Sequence, residues 1–220
     1  RNIYRNFQRF ITFQLSDNVT AMIVVIMSLT CGLDSPFNAV QLLWIDIIMD
    51  GPPALTLGLE KGGAEVLKSP PVKRTDEIVT PVMLLRIIGG GAYMATLIVC
   101  EYMFDFLNAG AELAPTVLFC MFVIFQLFNA FNCRKLTSES IFVSMGKNKL
   151  MVGVFAATFA FQILITQFLG DFFKTEKLPA VLWLKIIGVC FSVVVFSEIC
   201  KFCYRFFKKG QKKVARLKVG

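Results

Sequence analysis

With 220 residues, 56% of them hydrophobic, 23 phenylalanines and only 17% charge, the chain has more apolar surface than a soluble domain of this length buries, and it reads as a membrane protein. The formal net charge of +8 raises nucleic acid as a partner. The cations sit between apolar runs and at the end of the chain, not interleaved with aromatics on one surface, so they speak for membrane orientation and no nucleic acid is expected. No histidine is present to build a nitrogen-ligand metal site. The seven cysteines lie in or at the edges of apolar runs, as packing or lipid-side residues without a disulfide framework, and Cys200-x-x-Cys203 is a lone pair at helical spacing.

Six apolar runs follow in chain order, at about 7–31, 39–57, 81–104, 114–131, 150–169 and 180–206. Each is near the ~20 residues that cross a hydrocarbon core. The expected fold is therefore all-α, a polytopic bundle of six transmembrane helices. The chain opens on Arg1-Asn2-Ile3-Tyr4 as though a helix were entered partway, and the expectation is a C-terminal piece of something larger.

The second run organises the rest. It reads Gln41-Leu42-Leu43-Trp44-Ile45-Asp46-Ile47-Ile48-Met49-Asp50-Gly51-Pro52-Pro53-Ala54, with two acids at bilayer depth and a break directly after them. A charge there costs roughly 2.5 to 3.5 kcal/mol on insertion scales, so such acids mark ion or proton pathways. Asp46 and Asp50 are four apart and share one helical face. Proline has no donor and clashes with the preceding turn, so the helix is expected to unwind at Gly51-Pro52-Pro53, freeing carbonyls beside the carboxylates. Oxygen ligands of this kind suit a hard cation such as Ca²⁺ or Mn²⁺.

Residues 60–80 contain Gly62-Gly63 and Ser69-Pro70-Pro71 and read as a connector. Gly89-Gly90-Gly91 lies at membrane depth with no strand before it, so it reads as close helix packing and not as a phosphate loop. The segment from Lys201 to Lys218 holds eight cations with Phe202, Tyr204, Phe206 and Phe207. It is either a stop-transfer flank or a surface for anionic lipid or a regulatory partner. Six spans place both termini on one side, together with the second and fourth loops. Of the 23 Lys and Arg, only Lys174, Lys177 and Lys185 fall on the opposite side, so both termini are expected in the cytoplasm.

These residues resemble the C-terminal transmembrane region of P-type calcium-transporting ATPases, spans five to ten. Ser16-Asp17-Asn18-Val19 is similar to the fifth-span ligand region. Leu42 to Gly51 is similar to the sixth-span motif, usually Leu-Leu-Trp-Val/Ile-Asn with an Asp four residues after the Asn. Pro70-Pro71 with Lys73-Arg74 and Glu77-Ile78 resembles the loop between spans six and seven. Gln126 to Lys135 is most like the eighth span of the plasma-membrane type, whereas Met49 to Ala54 is closer to the secretory-pathway type. The resemblance implies Asn18, Asp46 and Asp50 as cation ligands, with Asp17 and Gln126 as further candidates. Where the reticulum type has glutamates, this sequence has Ala21 and Gln126, which implies a single transported ion. Asp46 stands where the family usually has Asn.

The expected function is the ion-binding part of an ATP-driven pump exporting Ca²⁺ or Mn²⁺ from the cytoplasm, in the plasma membrane or an endomembrane. ATP and Mg²⁺ would be bound by domains absent here, and an N-terminal remainder of the pump is the implied partner besides membrane lipid. The phosphorylated Asp-Lys-Thr-Gly motif does not occur in this sequence, so this stretch alone is expected to hydrolyse nothing. Two other classes stay open on the residues alone: a six-span cation channel or secondary transporter, and a structural membrane subunit. Inverted halves would favour the transporter, and none is visible.

Overall fold

A computed structural model describes residues 2–32, 34–59, 78–135 and 149–217, with side chains for all of these except 48–50, 54 and 207–217. The connector expected over 60–80 therefore lies, apart from its last three residues, outside the described residues, as do Pro70-Pro71, Lys73-Arg74 and Glu77. Eight helices are described: α1 (Asn2–Thr30), α2 (Ala39–Asp50), α3 (Pro52–Gly58), α4 (Pro81–Phe104), α5 (Ala114–Arg134), α6 (Lys149–Phe168), α7 (Gly170–Phe173) and α8 (Ala180–Leu217). No strand occurs among the described residues.

Among the described residues five helices, α1, α4, α5, α6 and α8, are long and apolar enough to cross a membrane. The second expected span, 39–57, is present as the α2–α3 pair, and the helix breaks between Asp50 and Pro52 as the sequence implied. The interruption is a single residue and not an unwound stretch. Proline is tolerated at the first positions of a helix, where its missing N–H would have no partner anyway, so Pro52 and Pro53 end α2 and at once begin α3.

The bundle is built around α5. Its residues are buried from Thr116 to Leu127 and again from Asn129 to Arg134: apart from one polar stripe at Gln126, Asn129 and Asn132 the helix is apolar all round, and only a central position covers it. Helices α1, α3, α4, α6 and α8 pack around it. Rings join the layers: Phe37 meets Phe122 edge-on at 5.2 Å, and Tyr93 of α4 stacks on Phe196 of α8 at 4.2 Å while its hydroxyl bonds Ser192 Oγ at 2.9 Å.

Caps set where the helices start and stop. Asn38 and Gln41 form a reciprocal capping box at the head of α2, Oδ1 accepting from Gln41 N at 2.9 Å and Oε1 accepting from Asn38 N at 3.1 Å. The same two amides donate to the Phe173 carbonyl at 3.0 and 3.1 Å, which ties α2 to α7. At the far end of α4, Asp105 adopts the left-handed conformation (φ 45°, ψ 48°) and its carboxylate accepts from Ala109 N and Gly110 N. Glu101, buried just before it, accepts from Leu107 N at 3.1 Å.

All seven cysteines are free, with Cys120, Cys133 and Cys190 buried and Cys31, Cys200 and Cys203 exposed. The glycine triplet divides. A Cβ at Gly91 would lie 2.8 Å from Val19 Cγ1 and 3.3 Å from the Ser16 carbonyl, so close packing of α4 on α1 requires glycine there. Gly89 and Gly90 have nothing within 4 Å of that position. The packing expected of the triplet therefore belongs to Gly91 alone, because successive helical residues point about 100° apart.

Candidate functional site

The acids of α2 stand at the break. Asp46 and Asp50 occupy positions one turn apart on α2, and Asp50 is its last residue. Gly51 follows with φ −86° and ψ −104°, outside the helical well, and a Cβ there would meet the Ile47 carbonyl at 2.8 Å. Prolines at 52 and 53 cannot donate to the carbonyls four residues earlier, those of Ile48 and Met49. The two acidic positions thus bracket two carbonyls without their helical donors, oxygen groups of the kind a hard cation takes.

Neighbouring elements hold this segment in place. Trp44 Nε1 donates to Gln162 Oε1 of α6 at 3.2 Å, and Asn6 Nδ2 of α1 donates to the Gly58 carbonyl at the end of α3 at 2.7 Å. Ile45 and Gln41 are buried, whereas Leu42, Leu43, Asp46 and Ile47 are exposed on this chain.

A second polar feature runs between α1 and α5. Asn129 Nδ2 donates to Ser16 Oγ at 2.7 Å, and at 3.5 Å to Oε1 of Gln126, which is fully buried. Thr12 and Thr20 turn their hydroxyls back on carbonyls four residues earlier, at 2.7 Å each. Nε2 of Gln126 is buried with no hydrogen-bond partner among the described residues. These residues recur at helical spacing on otherwise apolar helices, Thr12, Ser16 and Thr20 on one and Gln126, Asn129 and Asn132 on the other. That stripe is the signal by which Ser16 and Asn129 could have been singled out as site residues from the sequence.

Of the residues expected to hold a cation, Asp17 is buried, 5% exposed, beside Ser16, while Asn18 is exposed on the next position of the turn. Gln126 joins Ser16 through Asn129. Asp46 is exposed, and the carboxylate of Asp50 lies outside the described side chains. Among the described residues no three His, Cys, Asp or Glu side chains come together. Of the two adjacent fifth-span candidates, the structure therefore turns Asp17 into the bundle and Asn18 onto a face that this chain leaves uncovered.

An all-helical bundle of apolar helices, one of them broken by prolines after two acidic positions, is the architecture of a polytopic membrane region. Residues 34–203 match the family model described as cation transporting ATPase, C-terminus, and the chain belongs to that family. It is 36% identical over 207 residues to a plasma-membrane-type calcium-transporting ATPase of Oryza sativa subsp. japonica, covering 91% of this chain and 20% of that protein. Identity is 32% over 215 residues to calcium-transporting ATPase type 2C member 2 of Rattus norvegicus, 96% of this chain and 23% of the relative. With calcium-transporting ATPase 1 of Saccharomyces cerevisiae it is 35% over 216 residues, 96% and 22%. The chain spans about a fifth of the length of these relatives. The resemblance to the C-terminal region of P-type calcium-transporting ATPases thus extends over most of the chain.

Proposed function

We propose that this chain is the ion-binding membrane region of an ATP-driven pump that carries Ca²⁺ out of the cytoplasm, one ion per cycle, with Mn²⁺ as a second cargo. One observation carries the reading: two acidic positions one turn apart, followed by a glycine-proline-proline break that removes the helical donors of two carbonyls. Asp50 is the principal carboxylate ligand, Asp46 and Asn18 are the further ligands, and Asp17, buried in the bundle, is an additional candidate. The relatives' calcium-transporting names support Ca²⁺ as cargo. A single ion is supported by position 126, where a fully buried glutamine stands hydrogen-bonded to Asn129 and offers no carboxylate, and by Ala21. ATP and Mg²⁺ act on parts of the pump outside this sequence, and the excess of cations on the side of the termini supports cytoplasmic ends.

The test is ATP-driven ⁴⁵Ca²⁺ uptake by the full-length pump in sealed vesicles. Asp50→Asn is expected to abolish Ca²⁺-stimulated ATP hydrolysis and uptake, because the principal ligand charge is gone. Wild-type uptake in that variant would overturn the assignment. The coupled ratio should be one Ca²⁺ per ATP, and a ratio of two would overturn the single-ion reading. Mn²⁺ should compete for uptake.

A further inference from the structure

Away from the acids of α2, a cavity of about 340 Å³ lies between α1, α4, α5 and α8. Its lining changes character along its length. At one end are Arg86, one turn into α4, and Lys201 and Tyr204 toward the far end of α8. The rest of the lining includes Gly89, Gly90, Val193 and Phe196, with Ser16 and Asn129 on the side of α1 and α5. Lys201 is only 3% exposed, with Nζ 3.0 Å from Glu198 Oε1, and Arg86 Nη1 donates to the Lys135 carbonyl at 3.1 Å. A guanidinium and an ammonium group thus border one cavity; with Glu198 paired to Lys201, Arg86 leaves that end with one excess positive charge.

Glu198 offsets the charge of Lys201, so the excess is that of the half-buried Arg86, and a positive charge at the edge of a membrane bundle attracts an anionic headgroup. A transported metal ion is repelled here. The remaining shape argues for a lipid. Neither Gly89 nor Gly90 has any atom within 4 Å of where a Cβ would stand, so the wall of α4 is opened by missing side chains and not closed by packing. Val82, Leu85, Cys200 and Tyr204 form an exposed rim, so the cavity opens on the side of the bundle. Its volume is in the range of ligand pockets, roughly 300–1,000 Å³, enough for a phosphate headgroup and the first part of one acyl chain.

We propose that this cavity binds one anionic phospholipid from the leaflet on the side of the chain's termini, the phosphate held by Lys201 and Arg86 and one acyl chain laid over Gly89 and Gly90. Basic pockets between membrane helices bind lipid headgroups by this charge complementarity. The cavity includes no acid of α2, although Ser16 and Asn129 of the α1–α5 seam border it, and the lipid reading does not rest on the cation assignment.

The test is native mass spectrometry of the full-length pump, reconstituted in phosphatidylcholine with a tenth of phosphatidylinositol and then extracted in mild detergent. The wild type should retain one phosphatidylinositol per molecule. Gly90→Leu fills the groove without touching a charge and should abolish retention by excluding the acyl chain; Lys201→Gln removes a cation at the headgroup and should weaken retention by about fivefold, the effect of one lost basic contact at a lipid surface, while Lys201→Arg retains the lipid. Gly90→Leu keeps the question answerable where Lys201→Gln leaves Glu198 buried and the protein fails to fold. Equal retention in Gly90→Leu and wild type would overturn the proposal. So would displacement of the lipid by millimolar inorganic phosphate, which would make this a free-anion site. A photo-cross-link from Cys200 into another protein segment or a second copy would assign the groove to that occupant, whereas a cross-link to lipid supports the proposal.

Discussion

Gly89 and Gly91 sit two residues apart on α4 and face opposite surroundings. Adding a methyl at 91 drives it into Val19 and the Ser16 carbonyl, so Gly91→Ala should destabilise by about 1–3 kcal/mol, the usual cost of overpacking. The same change at Gly89 meets open space and removes backbone freedom, and should stabilise by roughly 0.5–1 kcal/mol. Melting of the two variants in detergent compares them directly; equal shifts would contradict the packing of α4 on α1. The contact between Asn129 and Ser16 is a second residue-scale case. Both are buried and each satisfies the other at 2.7 Å. A double-mutant cycle to alanine should give a coupling near ~0.6 kcal/mol, the average for hydrogen bonds between membrane helices. A coupling of zero would mean that the pair is incidental to α1–α5 packing.

At the scale of elements, the α2–α3 pair is the segment whose interruption matters. Its break has a local cause in Gly51, Pro52 and Pro53 and is held from outside by Asn6, Trp44 and the caps at Asn38 and Gln41. Replacing both prolines by alanine restores donors to the Ile48 and Met49 carbonyls. Helices α2 and α3 should then draw toward one continuous span, with stability kept and cation affinity lowered at least about tenfold, a loss near 1.4 kcal/mol. The check is the Ca²⁺ concentration for half-maximal ATP hydrolysis by the full-length pump. Unchanged affinity would mean that these carbonyls take no part. The last span behaves differently: α8 continues without a break to Leu217, so the basic residues from Arg205 to Arg216 ride on the same helix as the span.

For the whole molecule, the distribution of cations and the even number of crossings make one prediction. Cys203 is exposed near the end of the last crossing, and Cys31 is exposed after the first. In sealed right-side-out vesicles, an impermeant maleimide should label Cys31 and leave Cys203 unlabelled until the membrane is opened. The reverse pattern would overturn the orientation drawn from the positive-inside rule.

Much of this architecture is decided by local composition, and that part is legible in the chain. Apolar runs near ~20 residues make spans wherever they occur, because lipid leaves the backbone no other way to satisfy its hydrogen bonds. Proline inside a helical run removes a donor and clashes with the turn before it, so the interruption after Asp50 follows from the order of residues alone. What local rules do not contain is rotation and order. Whether Asp17 or Asn18 turns into the bundle, whether Gly89 or Gly91 meets a neighbour, and which span becomes the centre all depend on how helices pack side by side. Adjacent residues on a helix point about 100° apart, and only tertiary contacts such as Asn129 on Ser16 and Val19 on Gly91 choose between them. The break was written in the sequence; the seam of Ser16, Asn129 and Gln126, and the cavity between α4 and α8, came from the packing of apolar helices around α5.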